Sequence, residues 1–230
     1  MSKKEVLGIA LIGLLNLFAY DVGARDYKYV GEIYNSINRK LNPGRKNEER
    51  KIKITLAADS ALVEETGEKE IFSILENIVN SVSERANKEF GISFEVKNKF
   101  VYDAKDKIYG SIRVEEASLK VPKFNNELRL VFTKRPINYH LIIPENKNEL
   151  PYYTPTLGMA PIDHNICLIY LGGNIQELTN TTLHEILHSF GAEHVNDRDS
   201  LMYPFTNSEQ KIIDSQTLET VVKNKNKKFF

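Results

Sequence analysis

Cysteine is almost missing from this chain. Cys167 is the only one in 230 residues, so no intramolecular disulfide can form and a disulfide-dependent extracellular module is excluded. Its neighbours Ile166, Leu168 and Ile169 are apolar, which reads as a packed thiol in a buried strand rather than a reactive one. A charge imbalance is missing too. Lysine plus arginine and aspartate plus glutamate each number 31, so no global field draws the chain to nucleic acid, and no nucleic-acid partner is expected. Internal repeats and long low-complexity tracts are absent. With 41% hydrophobic and 27% charged residues, the chain is expected to fold as one globular domain with a small appendage, probing its partners as a monomer.

No apolar run is long enough for a comfortable membrane span. Residues 6–19 come nearest, but the run is short and interrupted by Asn16. It follows Lys3 and Lys4 and precedes Val22 and Ala24, small residues at the minus-three and minus-one positions of a cleavage before Arg25. That pattern fits a secretory signal over residues 1–24, the alternative being an uncleaved membrane anchor through residues 6–20. Either reading implies a secreted or extracytoplasmic protein. From residue 25 to 50 the chain reads as a short helix, with Tyr27, Val30, Ile33, Tyr34, Ile37 and Leu41 at helical spacing, then a charged linker around Pro43 and Gly44.

A domain spanning 51–230 follows. Residues 51–56 alternate with period two and predict a strand. Gly67 to Glu89 carries Ile71, Phe72, Ile74, Leu75, Ile78, Val79 and Val82 on one helical stripe, and Gly91 stops that helix. Residues 92–96 return as a strand parallel to the first. Residues 128–132 and 140–143 supply further strands, whereas charge-rich residues 97–126 read as surface connections or an extra hairpin. Five prolines between Pro136 and Pro161 argue for irregular loop there. Ser208 is expected to cap a last helix to about Lys223, with Ile212, Ile213, Leu218, Val221 and Val222 inward. Beyond it, residues 223–228 read as a basic tail whose charge means helix-end complementarity and solvation.

The chemistry concentrates in residues 182–204. His184 and His188 are four apart, so on a helix they project from one face and can reach a single ion. Glu185 sits beside the first of them, where it can take a proton from water without being a ligand. Gly191 can turn the chain sharply enough to return His194 to the same ion. Three neutral nitrogens leave a fourth position open, the pattern of a catalytic Zn2+ site. Thr179, Asn180 and Thr181 offer side chains to cap the helix. Asn180 also starts a glycosylation sequon, for which capping is the preferred reading. His140 and His164 lack enough partners for a second zinc and read as ordinary hydrogen-bonded histidines.

His184, Glu185, His188, Gly191, His194 and the later Met202 resemble the metzincin family of zinc endopeptidases, whose motif is HExxHxxGxxH followed by a methionine turn. Within that family the residues around Met202 look most like matrixins, although matrixins usually carry a serine where this chain has Val195. The resemblance implies an α+β, metzincin-like zincin domain: a mostly parallel twisted sheet with an antiparallel edge strand, a long core helix, an active-site helix and a C-terminal helix. It implies one catalytic zinc, Glu185 as general base, Met202 as an apolar floor, and hydrolysis of internal bonds in a protein or peptide. Gly158, Met159 and Ala160 would line an extended substrate, with Gly158 admitting its backbone. Pro204 and Phe205 would wall the adjoining pocket. Residues 25–50 would be a pro-segment, but no cysteine lies upstream to act as a thiol switch. Two other readings stay open: a zinc-binding pseudoenzyme, and an amide hydrolase with an unusual substrate such as a cell-wall peptide.

Overall fold

The fold was analysed in a computed structural model that describes residues 49–104, 110–142, 152–162, 164–205 and 212–229. The targeting segment and nearly all of the helix and linker expected before residue 51 lie outside them. In chain order the elements are β1 (Arg50–Asp59), α1 (Ser60–Thr66), α2 (Glu68–Phe90), β2 (Ile92–Tyr102), α3 (Ser111–Lys120), β3 (Glu127–Thr133), β4 (Tyr139–Ile142), β5 (Tyr152–Pro155), β6 (Gly158–Met159), β7 (Ile166–Tyr170), α4 (Ile175–Ser189) and α5 (Ser215–Asn224). This is a mixed α/β fold. Its main sheet runs β2-β1-β3-β7-β6, with the first four strands parallel and β6 antiparallel to β7 at the edge. No helix among the described residues is long and apolar enough to cross a membrane.

The central strands are buried on both faces, and their period-two alternation divides two cores rather than core from solvent. Ile54, Leu56, Leu130, Phe132, Cys167 and Ile169 face a large core with α2 and α4, whereas Ala57, Val131 and Leu168 face a smaller one with α3. Helix α2 buries Ile71, Leu75, Ile78, Val82 and Ala86, the three-and-four spacing of a core-facing stripe. Gly91, in the left-handed conformation at φ 65°, ends it and lets Arg50 donate to the Gly91 carbonyl at the mouth of the sheet.

Several expectations are corrected. Residues 111–120 are not a hairpin or plain connection but helix α3, which buries Val114 and Ala117 alongside Arg113 and Glu116. The buried charges hide its apolar stripe in the sequence. The proline-rich stretch does make a ladder: β4 and β5 pair as a separate two-stranded antiparallel sheet, with Pro155 at its end opposite Tyr139, so the strand containing His140 does not join the main sheet. The last helix starts later than Ser208, which lies outside the described residues. Asp214 is its N-cap, Ile212 instead bridges to Ser200, and Val222 is partly exposed while Leu218 and Val221 are buried.

One polar group ties the strand ends together. Asp59, fully buried at the end of β1, accepts from the Leu62 N–H at 3.1 Å to cap α1 and from the Lys134 N–H at 3.0 Å beyond β3. It also accepts from Thr133 Oγ1 and lies 3.4 Å from Arg135 Nη1. Removing the carboxylate strands several buried donors at once. Asp59→Ala should therefore lower the unfolding free energy by about 3 kcal/mol in urea titrations. A loss indistinguishable from zero would contradict this role.

Candidate metal centre

Helix α4 carries the motif, and it begins earlier than the threonines at its middle suggest. Asn174 is the N-cap: its side chain accepts from the Glu177 N–H at 3.0 Å, while Glu177 Oε2 accepts from the Asn174 N–H at 3.1 Å. Thr179, Asn180 and Thr181 are therefore interior helical residues, not caps. Thr179 Oγ1 donates back to the Ile175 carbonyl, and Asn180 accepts from Arg85 of α2 at 2.9 Å. With Asn180 fully buried, the sequon does not present a surface acceptor in the folded chain.

The far end of α4 is a Schellman turn. Gly191, at φ 87°, donates to the His188 carbonyl at 2.8 Å, and the Ala192 N–H donates to the Leu187 carbonyl at 3.1 Å. This reversal returns His194 toward the helix and leaves the Ala192 carbonyl 2.7 Å from His188 Nδ1. A second loop does the same for His184, whose Nδ1 lies 2.7 Å from the Leu201 carbonyl. A carbonyl only accepts, so both Nδ1 atoms carry the proton and both Nε2 atoms present bare lone pairs. Those lone pairs converge. The three Nε2 atoms of His184, His188 and His194 stand 3.1–3.2 Å apart.

Such a cluster fits a cation. Nitrogens bound about 2.0–2.1 Å from one zinc in a tetrahedral set sit roughly 3.3 Å from each other, close to the spacing here, whereas two facing lone pairs with no proton between them repel. Protonation is disfavoured. His184 is held down to about 3, first by burial and then by the neighbouring His188, and burial lowers His188 and His194 as well. The three histidines are thus close enough to hold a metal ion, and theirs is the single such group of three among the described residues. His194 is the solvent-facing member.

The Glu185 side chain lies against the edge strand at Gly158 and Ala160. It is 5% exposed, and the Ala160 backbone N–H donates to its carboxylate. Burial pushes its pKa up to about 8, with the Ala160 bond acting in the opposite direction. Gly158 and Met159 form β6, so the edge strand expected from sequence is present and lies beside α4. Met202 is fully buried, and its carbonyl accepts from the Val195 N–H at 3.0 Å, binding its loop to the residue after the third histidine. Pro204 and Phe205 are exposed, with Phe205 5.9 Å from the Tyr203 ring. His164 is exposed and outside the cluster, and Asp163 lies outside the described residues. Sequence reasoning missed the Leu201 and Ala192 carbonyls, because any residue carries a carbonyl. It also missed Ser200 and Asp214: Ser200 Oγ donates to Asp214 at 2.7 Å and accepts from the Met202 N–H at 3.0 Å. The Asp-x-x-Thr spacing of Asp214 and Thr217 was the available signal.

No family model matches this chain, and no curated protein does. One solved structure, described as "Structure of a chaperone-substrate complex", is similar over 65% of this chain and 25% of that one, at 13% identity and a TM-score of 0.42. The chain spans about a quarter of that structure's length. A likeness so distant carries no argument, and the site has to speak for itself.

The tripod predicts one tightly held divalent ion per chain, measurable by plasma emission spectroscopy after dialysis. Chelation should lower the melting temperature and zinc should restore it, since a ligand at about 100 times its Kd stabilises by about 2.7 kcal/mol. His188→Ala should abolish both metal retention and the zinc-dependent shift. Unchanged metal content in that variant would remove His188 from the ligand set.

Proposed function

We propose that this chain is a zinc-dependent endopeptidase built on a metzincin-like catalytic domain. The observation that carries the reading is the convergence of three Nε2 lone pairs within 3.2 Å, with the Glu185 carboxylate one residue along the same helix and against an open sheet edge. A bound zinc ion supplies Lewis acidity there, polarising a carbonyl and acidifying water. Everything else is the work of the chain's own side chains and backbone.

The three imidazoles would hold the ion, with the tautomers of His184 and His188 set by the carbonyls of Leu201 and Ala192. The charge of a bound cation would favour the ionised form of Glu185 against the effect of its burial. The carboxylate would then accept a proton from the attacking water and later deliver it to the departing amine, so no covalent intermediate is needed. Its burial beside β6 excludes competing water. Strand β6 ends the sheet order, and its outer edge faces no other strand of that sheet, which suits an extended peptide added by backbone pairing. Met159 and Ala160 continue that edge, and Pro204 and Phe205 offer exposed apolar surface for a substrate side chain. A protein that kept the ion for stability alone would have no use for a buried carboxylate at its side. A secreted or extracytoplasmic location, drawn from residues 1–24, belongs to the same proposal.

Incubating the zinc-loaded protein with an unbiased peptide library and reading products by mass spectrometry tests this directly. Internal cleavage is expected, and Glu185→Gln should slow it at least about 10²–10⁴-fold while zinc content stays at one per chain. No cleavage by the wild type would sink the endopeptidase reading. Products confined to one non-standard linkage would move it to the amide-hydrolase class.

A further inference from the structure

We propose that Gly158 is the seat of the Glu185 carboxylate, a positioning residue that sets where the acid lies by having no side chain. A Cβ built on Gly158 would stand 2.4 Å from Glu185 Oε1, 2.6 Å from its Cγ and 2.7 Å from its Cδ. No real carbon tolerates three such approaches. The clash is not relieved by swinging a loose side-chain tip aside, because Cγ and Cδ are involved and Glu185 is 5% exposed. Its carboxylate is also held by the Ala160 N–H, and residues 178–189 of α4 are buried throughout.

The strand cannot retreat either. Gly158 pairs with Ile169 and Met159 with Leu168, and the Tyr170 N–H donates to the Leu157 carbonyl at 2.8 Å. Met159, on the alternate face, packs against the smaller core. Backbone conformation gives no second reason for glycine here: Gly67, Gly91, Gly110 and Gly191 have positive φ, and Gly158 does not. Alanine would therefore be tolerated by the backbone conformation and refused by Glu185, whose atoms are the nearest to the added carbon. The space a side chain would fill is taken by the acid, so the absent Cβ serves Glu185 rather than an incoming peptide backbone. A displaced carboxylate would no longer meet the proton it is meant to take, a consequence that rests on the endopeptidase reading. The packing itself does not.

The test is a double-mutant cycle read by thermal melts, with chelator and again with zinc, on the wild type, E185A and E185Q, each with and without G158A. In the wild-type and E185Q backgrounds, where the shape at 185 is kept, G158A should lower the melting temperature by about 3–10 °C. In the E185A background, which removes the three nearest atoms the Cβ would meet, the fall should shrink to about 1 °C or less. Equal losses in all three backgrounds, or no loss in any, would overturn the proposal. If G158A alone does not fold, recovery of folded protein in G158A/E185A supports it and failure of both refutes it. No peptide enters these melts, so they stand apart from the question of proteolysis. For a peptide-cleaving wild type, G158A should lower kcat by about 10²-fold with KM nearly unchanged. A rise in KM alone would return Gly158 to substrate contact.

Discussion

Everything in the second half of the chain follows from one constraint: three imidazole lone pairs must meet at a point, and none of the rings is in a place where it can easily take a proton instead. Two helical histidines a turn apart face the same way by geometry, but their rings can still rotate and exchange tautomers. Fixing them takes an acceptor on each Nδ1. The protein uses backbone carbonyls, of Ala192 and Leu201, so the rings are only as well placed as the two turns that hold those carbonyls. The first turn is the Gly191 reversal. The second is held by Ser200, through Asp214, which also caps α5 by accepting from the Thr217 N–H at 2.8 Å. Helix α5 is thus tied to the position of His184 through a short chain of hydrogen bonds.

The end of α4 is braced from outside by residues that looked merely soluble in the sequence. Asn224 Nδ2 donates to the Phe190 carbonyl at 2.8 Å and Lys227 Nζ to the Ser189 carbonyl at 3.0 Å, occupying acceptors that a helix end leaves open. Phe229 is buried edge-on against Phe190 at 5.5 Å, with Arg50 over both rings. The basic stretch after α5 is therefore more than a solvated tail, and the helix-end complementarity its charge suggests is met on α4 by Lys227. The stretch joins the last carbonyls of α4 to the first residue of β1, with Lys227 complementing the negative end of the α4 dipole.

What could be read in advance was whatever repeats at a fixed interval. The stripe from Ile71 to Val82 marks α2, the alternation at 51–56 marks β1, and the spacing of His184, His188, Gly191 and His194 marks the ligand cluster. What escaped was set by tertiary contact. Helix α3 hides because Arg113 and Glu116 are buried within it, against the usual meaning of charge. Asn174 was passed over as a cap in favour of threonines nearer the motif, although Asn-x-x-Glu is the stronger signature. Gly158 suggests a close approach in the sequence, but its near neighbour Glu185 is visible only in the fold, because sequence does not say which neighbour stands where a glycine leaves space. The division is physical: local periodicity is written in one segment, whereas a carbonyl acceptor or a close approach belongs to two.

The same burial that orders the centre makes it unfavourable when empty of charge compensation. Desolvation holds His184 down to about 3, so its imidazole stays neutral across the middle of the pH range. Neutral imidazoles 3.1 Å apart, with their protons already committed to carbonyls, have nothing to donate to one another. A cation at that point would resolve the conflict, and its binding would then be linked to the folding of residues 174–203. It also explains why so much structure converges on a single helix: the capping box at its start, Arg85 on Asn180 at its middle, and the Asn224 and Lys227 bonds at its end each hold the three nitrogens in a geometry their own electrostatics oppose.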